Sequence, residues 1–240
     1  MHWRSTRQAS LRSGSHLAIV GGGPAGSFFA LFALHYARAL GLDLHVTIFE
    51  PRDFSRPGPW GCNMCAGLIP VHVLRELAEI DLAVPGHIIQ SYISHYTLHT
   101  AAGQIHLPQP DPDQDVVSVY RGHGPRYGPP WPEPISFDRF LLDTARARGA
   151  QVIRERVTTI TLKPRPRVET SRASFPADLV VLAAGVNRPA IHFTDLPYRL
   201  PPRRKMAQAE ICIGTDAVRS ILGDSVHLFL PRHTALEFGT

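Results

Sequence analysis

Three glycines and one acidic residue have the types and the spacing of a dinucleotide-binding site. Residues 21–26 read GGGPAG and contain the pattern G-x-G-x-x-G, and Glu50 follows 24 residues after Gly26. In this pattern the first glycine permits a tight turn, the second lets the backbone approach a pyrophosphate, and the third lets a helix pack closely on a strand. An acidic residue placed like Glu50 accepts hydrogen bonds from a ribose diol. The pattern therefore favours a nucleotide ligand, and the alternative is a glycine-rich turn with no ligand.

The segments around these residues have the properties of the elements that must position them. The short apolar run His16–Val20 is typical of a buried parallel strand. Residues 24–40 are apolar on nearly all sides and predict a buried helix, which Gly41 ends. Leu44–Phe49 predicts a second strand that leads directly into Glu50. Strand, helix and strand together form a βαβ unit, so the expected fold class is α/β.

The rest of the chain predicts a mixture of helices and mostly antiparallel strands. Ser136 caps an amphipathic helix, and residues 88–100 and 104–107 flank a turn that is typical of a hairpin. Asp178–Ala183 has the composition of another fully buried strand, and it ends in Ala184-Gly185. From residue 206 onward, strands surround one short helix.

The sequence resembles two groups of flavoproteins at several separate places. VGGGPAG, at residues 20–26, is similar to FAD flavoproteins of the p-hydroxybenzoate-hydroxylase group and, more closely, to the geranylgeranyl reductase family. The matches span residues 16–187. They continue at Cys65-Ala66-Gly67, at Arg121 followed by Phe137-Asp138-x-x-Leu141, and at residues 177–185.

The resemblance implies FAD as the cofactor and gives individual residues a role toward it. The three glycines of the motif would hold the pyrophosphate, Glu50 the ribose, and Arg121 the phosphates or the ribityl chain. The backbone around Val157 would lie near the adenine, and Ala184-Gly185 would close over the nucleotide. The implied cofactor-binding residues are Gly21, Gly23, Pro24, Ala25, Gly26, Glu50, Arg121, Val157, Ala184 and Gly185. No metal site is expected.

Three features depart from the family patterns. Ala66 stands where the reductases have the first glycine after the cysteine, and Ala184 replaces an aspartate that is common in hydroxylases. The late G-D motif that completes the flavin site is missing, because Gly223-Asp224 comes too early in the chain. We therefore expect the chain to be an N-terminal portion that alone binds FAD weakly and self-associates.

Cys62-Asn63-Met64-Cys65 is open to several interpretations. By resemblance, Cys65 is the candidate catalytic residue, either a wall of the flavin site or a redox-sensitive thiol beside the ring. A thioredoxin-like pair lacks the expected βαβ setting, and a metal site lacks a second pair because Cys212 stands alone. The last interpretation is two loop cysteines with no chemistry.

The function implied by the resemblance is an FAD-dependent oxidoreductase that reduces double bonds of an apolar, isoprenoid-like substrate. The alternatives are a flavin monooxygenase or halogenase, and a truncated flavoprotein-like chain without full activity. We predict a leader at residues 1–15 and a Rossmann-type FAD domain at residues 16–85 and 115–192. An interleaved, incomplete β-rich substrate domain would take residues 86–114 and 193–240.

Composition and charge narrow the partners and the compartment. The excess of 25 basic over 20 acidic residues is modest and spread out, which argues against a nucleic-acid partner. The expected partners are a small apolar substrate and an electron donor, with NAD(P)H among the candidates and a peripheral membrane contact left open. Three cysteines favour a reducing compartment, so we expect a cytoplasmic protein. The glycines of residues 21–26 interrupt the apolar N-terminal stretch, so we expect no cleavage as a secretory signal.

Overall fold

The computed structural model describes residues 10–56, 67–108, 115–122, 135–186, 191–202, 207–232 and 239. The chain divides into two compact units, one of residues 1–56 and 138–206, the other of residues 57–137 and 207–240. The elements form a mixed α/β structure, which confirms the predicted class. The predicted boundaries of an FAD domain and a substrate domain depend on which residues surround a cofactor, and they stay a prediction.

A parallel four-stranded sheet forms the centre of the first unit. Its strands are β1 (His16–Val20), β2 (His45–Phe49), β8 (Gln151–Ile153) and β12 (Leu179–Leu182). They lie in the order β12-β1-β2-β8. Helix α1 (Pro24–Ala39) connects the two middle strands, so the predicted βαβ unit is present.

The two faces of this sheet are covered by different elements. Alternate residues of β1 point to opposite faces, and Ile19 lies against Gly26 of α1. A second sheet packs on the other face and consists of β9 (Thr159–Thr161), β10 (Arg167–Glu169), β11 (Ser174–Pro176) and β13 (His192–Phe193). Its strand order is β11-β10-β9-β13. The buried residues between the two sheets are Ala18, Val20, Phe49, Val157, Ile160, Val168 and Ala177. Burial on both faces therefore fixes the register of β1 and the place of the glycine loop that follows it.

Helix α3 (Phe137–Ala147) begins beside Ser136, as the amphipathic pattern predicts. Its buried face includes Leu141, Leu142 and Ala145. A side chain added at Gly22 would stand 3.1 Å from Cδ1 of Leu142, so α3 also contacts the glycine loop.

The described strands of the second unit are β3 (Leu68–Pro70), β4 (Ile89–Ile93), β5 (His95–Thr100), β6 (Gly103–Pro108), β7 (Val116–Val119) and β14 (Ser225–Phe229). They form two three-stranded sheets, in the orders β3-β7-β4 and β14-β5-β6. Helices α2 (Val71–Glu79) and α4 (Thr215–Leu222) belong to the same unit. None of the helices in the described residues is long and apolar enough to cross a membrane.

Two strand predictions need correction. The expected strand over residues 88–100 is two strands, because β4 pairs with β7 whereas β5 pairs with β6 and β14. The chain changes sheets at Ser94, which hydropathy does not reveal. The predicted hairpin is present as β5 and β6. Strand β12 is only half-buried, because among the described strands it has a neighbour on one side alone.

The carboxylate of Asp178 joins the beginnings of β12 and β1. Its Oδ2 accepts the backbone N–H of His16 at 2.9 Å, and Nη2 of Arg165 lies 3.4 Å from Oδ1. The His16 N–H, helped by the Arg165 guanidinium, holds the pKa of Asp178 below its ordinary value. A depressed pKa means that the ionised carboxylate stabilises the folded chain.

We expect Asp178→Asn to reduce the pH dependence of folding. The stabilisation from Asp178 is present above the ordinary carboxyl pKa and is lost as the pH falls through the lower, folded-state pKa. Since the group is partly exposed, the contribution is about 1 kcal/mol or less. Urea unfolding at about pH 7 and about pH 3 measures it. An equal loss of stability on acidification in both proteins would contradict this role.

Candidate nucleotide-binding site

The carboxyl ends of three parallel strands meet at one edge of the first sheet. Val20, the last residue of β1, stands beside Phe49 of β2 and Leu182 of β12. The loops after these strands, at residues 21–26, 50–56 and 183–186, therefore leave from the same edge. In open α/β sheets this is the edge at which ligands bind.

Two glycines of the motif are required by the packing of the backbone. Gly21 has φ +110°, and a Cβ there would stand 2.3 Å from the carbonyl oxygen of Ala183. A Cβ on Gly26 would stand 1.9 Å from the carbonyl oxygen of Gly21. Real Cβ atoms do not approach backbone so closely, so the turn and the start of α1 depend on these two glycines.

Gly23 differs, because none of the described residues requires a glycine there. Its φ of −69° and ψ of −176° are open to any residue. Among the described residues, a Cβ on Gly23 would meet only the ends of two side chains, with Nη2 of Arg52 at 3.5 Å and Oδ1 of Asp138 at 4.0 Å, which are ordinary contact distances. The approach of a pyrophosphate to the backbone at Gly23 stays a prediction.

Helix α1 begins in a way that suits an anion. Its N-cap is Gly23, which has no side chain to accept a hydrogen bond from the first N–H groups of the helix. Pro24 opens the first turn, and that turn contains no acidic residue. The partial positive charge of the helix N-terminus is therefore not offset by a carboxylate of the first turn. Ser27, which is fully buried, donates its hydroxyl to the carbonyl of Gly22 and holds the loop in place.

Glu50 is buried, and its carboxylate makes four hydrogen bonds. Oε2 accepts the backbone N–H of Gly22 at 2.9 Å and Nη2 of Arg52 at 3.1 Å. Oε1 accepts the backbone N–H of Arg52 at 2.9 Å and its Nε at 3.0 Å. The Arg52 guanidinium also lies over the ring of Phe54, with Cζ 5.0 Å from the ring centroid. This network ties the loop after β2 to the glycine loop after β1.

The other suggested residues of the first unit lie beside the glycine loop, in the first turn of α1, and between the two sheets. Ala184 is next to Gly21, since its Cα would stand 2.8 Å from a Cβ there, and Gly185 follows with φ +72°. Pro24 and Ala25 form the first turn of α1. The side chain of Val157 is buried between the two sheets.

The remaining suggested residues are Arg121 and Cys65. Arg121 follows β7 and belongs to the second compact unit, whereas residues 21–26 belong to the first. Cys65 and Cys62 lie outside the described residues. Their roles beside a flavin stay predictions.

Sequence reasoning missed Ser27 and Arg52. Ser27 follows directly after the motif, and a small hydroxyl residue at the start of a buried helix is a signal that could have been used. Arg52 lies two residues beyond Glu50, where its charge could have indicated a pair. Neither signal gives the geometry of the ion pair, because only the folded loop places Nε and Nη2 of Arg52 within hydrogen-bond distance of the Glu50 carboxylate.

Similar proteins were found among the solved structures, but not among protein-family models or curated proteins. No protein-family model matches the sequence, and no curated protein matches it closely enough to count as a relative. Similar solved structures include the peptidyl tryptophan dihydroxylase QhpG, with 23% identity, a TM-score of 0.46, and coverage of 73% of this chain and 33% of that one. The p-nitrophenol 4-monooxygenase PnpA from Pseudomonas putida DLL-E4 is 15% identical, with a TM-score of 0.46 and coverage of 74% of this chain and 42% of that one. BrvH, a flavin-dependent halogenase from Brevundimonas sp. BAL3, is 14% identical, with a TM-score of 0.49 and coverage of 72% of this chain and 43% of that one. The chain thus spans between 33% and 43% of the length of these structures.

Proposed function

We propose that this chain binds FAD at the glycine loop and serves as the nucleotide-binding part of an FAD-dependent oxidoreductase. The observation that carries the proposal is that Gly23, between the end of a parallel strand and the start of a helix, has no described neighbour that requires a glycine. Gly21 and Gly26 have packing reasons to be glycine, whereas a nucleotide would supply the reason at Gly23. That division matches the roles of the three glycines in a dinucleotide site.

The residues around Gly23 suit the adenosine diphosphate half of FAD. The N–H groups at the start of α1 would bind the pyrophosphate, and Ser27 would keep the Gly22 carbonyl turned away from it. Glu50 would serve the ribose, and the chain from Ala183 to Gly185 would border the same nucleotide. When bound, FAD supplies the redox chemistry, and the protein positions it and excludes water.

The proposed reaction is hydride transfer between the flavin and a double bond of an apolar, isoprenoid-like substrate. Its support is the similarity of residues 65–67, 121 and 137–141 to the geranylgeranyl reductase family. NAD(P)H or another donor would reduce the flavin. The second candidate is a flavin monooxygenase or halogenase, the activities that appear in the names of several similar solved structures. Ala184, where many hydroxylases have aspartate, favours the first candidate.

The acceptor of the reduced flavin separates the two reactions. The FAD-loaded protein is reduced under anaerobic conditions and mixed with a geranylgeranyl alcohol, and the product is analysed by mass spectrometry. The first candidate predicts that the flavin is reoxidised and the alcohol gains two hydrogens. In a parallel reaction, an aromatic substrate and chloride replace the alcohol. Flavin reoxidation only after air is admitted, with an oxygenated or chlorinated product from that substrate, would favour the second candidate.

Glu50→Ala should weaken FAD binding by about 1–3 kcal/mol, because the ribose loses a charged acceptor in a buried place. It should also destabilise the chain, since the N–H of Gly22 and the Arg52 guanidinium lose their partner. Isothermal titration and urea unfolding measure the two effects. Glu79→Ala, which removes an exposed carboxylate from α2, is the control. Equal FAD affinity in both variants would refute the assignment of Glu50.

A further inference from the structure

The carboxylate of Glu50 has no acceptor position left for a ribose. An ionised carboxylate offers about four lone-pair positions, and four N–H groups occupy them here. Two of these donors are backbone groups, of Gly22 and Arg52, and the fold fixes both. The other two belong to the Arg52 guanidinium, whose side chain is 31% exposed. If a ribose diol is to bind Glu50, the guanidinium is the donor that can leave.

The Arg52 guanidinium could bind a ligand in front of Gly23, next to its present position at Glu50. Nη2 of Arg52 is 3.5 Å from the position of a Cβ on Gly23, so it borders the space directly in front of Gly23. Under the proposed function, this space takes the pyrophosphate. Guanidinium groups bind phosphate with two parallel hydrogen bonds, as they bind carboxylate. The other described charge near this point, Oδ1 of Asp138 at 4.0 Å, is an acid and cannot serve a phosphate in this way.

We infer that Arg52 exchanges partners when the nucleotide binds. In the free chain its guanidinium pairs with Glu50 and keeps that buried carboxylate satisfied. In the complex it passes to the pyrophosphate, and the ribose hydroxyls take the positions on Glu50 that it leaves. This inference rests on the proposed function, and it makes Arg52 a residue that selects ligands with a phosphate group beside the ribose.

The exchange predicts opposite effects on two simple ligands. Arg52→Met removes the phosphate contact but also removes the competitor of the ribose for Glu50. ADP, which has both groups, should bind about tenfold more weakly or worse, because it loses charge-assisted hydrogen bonds. Adenosine, which has only the ribose, should bind at least as tightly as it binds the wild type. Calorimetry, or displacement of FAD followed by flavin fluorescence, measures both affinities.

Matched variants keep the test clear. Arg56→Met removes the same charge from the same loop, where Arg56 is exposed and paired with Asp53, and it should leave both ligands unaffected. Arg52→Lys keeps the charge without the paired donors and should give an intermediate loss of ADP affinity. If the unpaired Glu50 prevents Arg52→Met from folding, the double variant Glu50→Gln/Arg52→Met is compared with Glu50→Gln. The inference then requires the same tenfold loss of ADP affinity.

The results that would overturn the inference are distinct from those that would overturn the proposed function. Equal losses of ADP and adenosine affinity would show that Arg52 only supports the fold. Unchanged ADP affinity in Arg52→Met, with a wild type that binds FAD and ADP, would refute the exchange alone. A folded wild type that binds neither FAD nor ADP would refute the proposed function, and the exchange with it.

Discussion

Gly23→Val is expected to abolish FAD binding while the chain remains folded. The valine side chain would occupy the space in front of the loop, where the pyrophosphate must approach the backbone. The extended backbone at Gly23 accepts a branched residue, and the nearest atoms to its Cβ lie at ordinary contact distances. The expected loss of stability is only about 1 kcal/mol, because glycine is a better N-cap than valine.

The control for this prediction is Gly86→Val, at an exposed position in the second unit where no atom of the described residues lies within 4 Å of an added Cβ. Urea unfolding and FAD titration are measured on both variants and on the wild type. If Gly23→Val folded and still bound FAD with the affinity of the wild type, the pyrophosphate would have to lie elsewhere. If it failed to fold, the glycine would have a packing role that its surroundings do not indicate.

Gly26→Ala, in contrast to Gly23→Val, should cause a large loss of folding stability. Its Cβ would lie 1.9 Å from the carbonyl oxygen of Gly21 and 3.1 Å from Cγ2 of Ile19. Backbone atoms cannot yield as a flexible side chain can, so α1 would have to move away from β1. We expect the free energy of unfolding to fall by about 3 kcal/mol or more.

FAD binding should disappear in Gly26→Ala as a consequence of the changed fold. Gly86→Ala provides the matched comparison, and the readouts are soluble yield, far-UV circular dichroism and urea unfolding. A Gly26→Ala protein as stable as the wild type would contradict the close approach of α1 to the Gly21 carbonyl. The two glycine variants together separate a ligand role from a packing role within one six-residue loop.

The secondary structure around the glycine loop could be predicted from the sequence. The apolar run at residues 16–20, the helix after the glycines and the strand before Glu50 gave the βαβ unit, because each element is defined by its own composition. The break at Ser94 could not be predicted, since both strands have similar hydropathy and only their pairing separates them.

The electrostatics of the site were predicted only in part. Glu50 was expected as an acceptor for a ribose, whereas the folded loop gives its carboxylate to Arg52 and two backbone N–H groups. This pair depends on how the chain turns after β2, which residue types do not determine. The roles of Cys65 and Arg121, the domain boundaries and weak binding by this chain alone remain predictions.

The most direct test of the central claim is an FAD titration of the wild-type chain and of Gly23→Val, followed by flavin fluorescence. We expect saturable binding at one site by the wild type. We also expect no detectable binding by a Gly23→Val chain whose circular dichroism and urea unfolding show that it is folded. Binding of FAD with equal affinity by both proteins, or no binding by a folded wild type, would contradict the claim that the glycine loop is a flavin-nucleotide site.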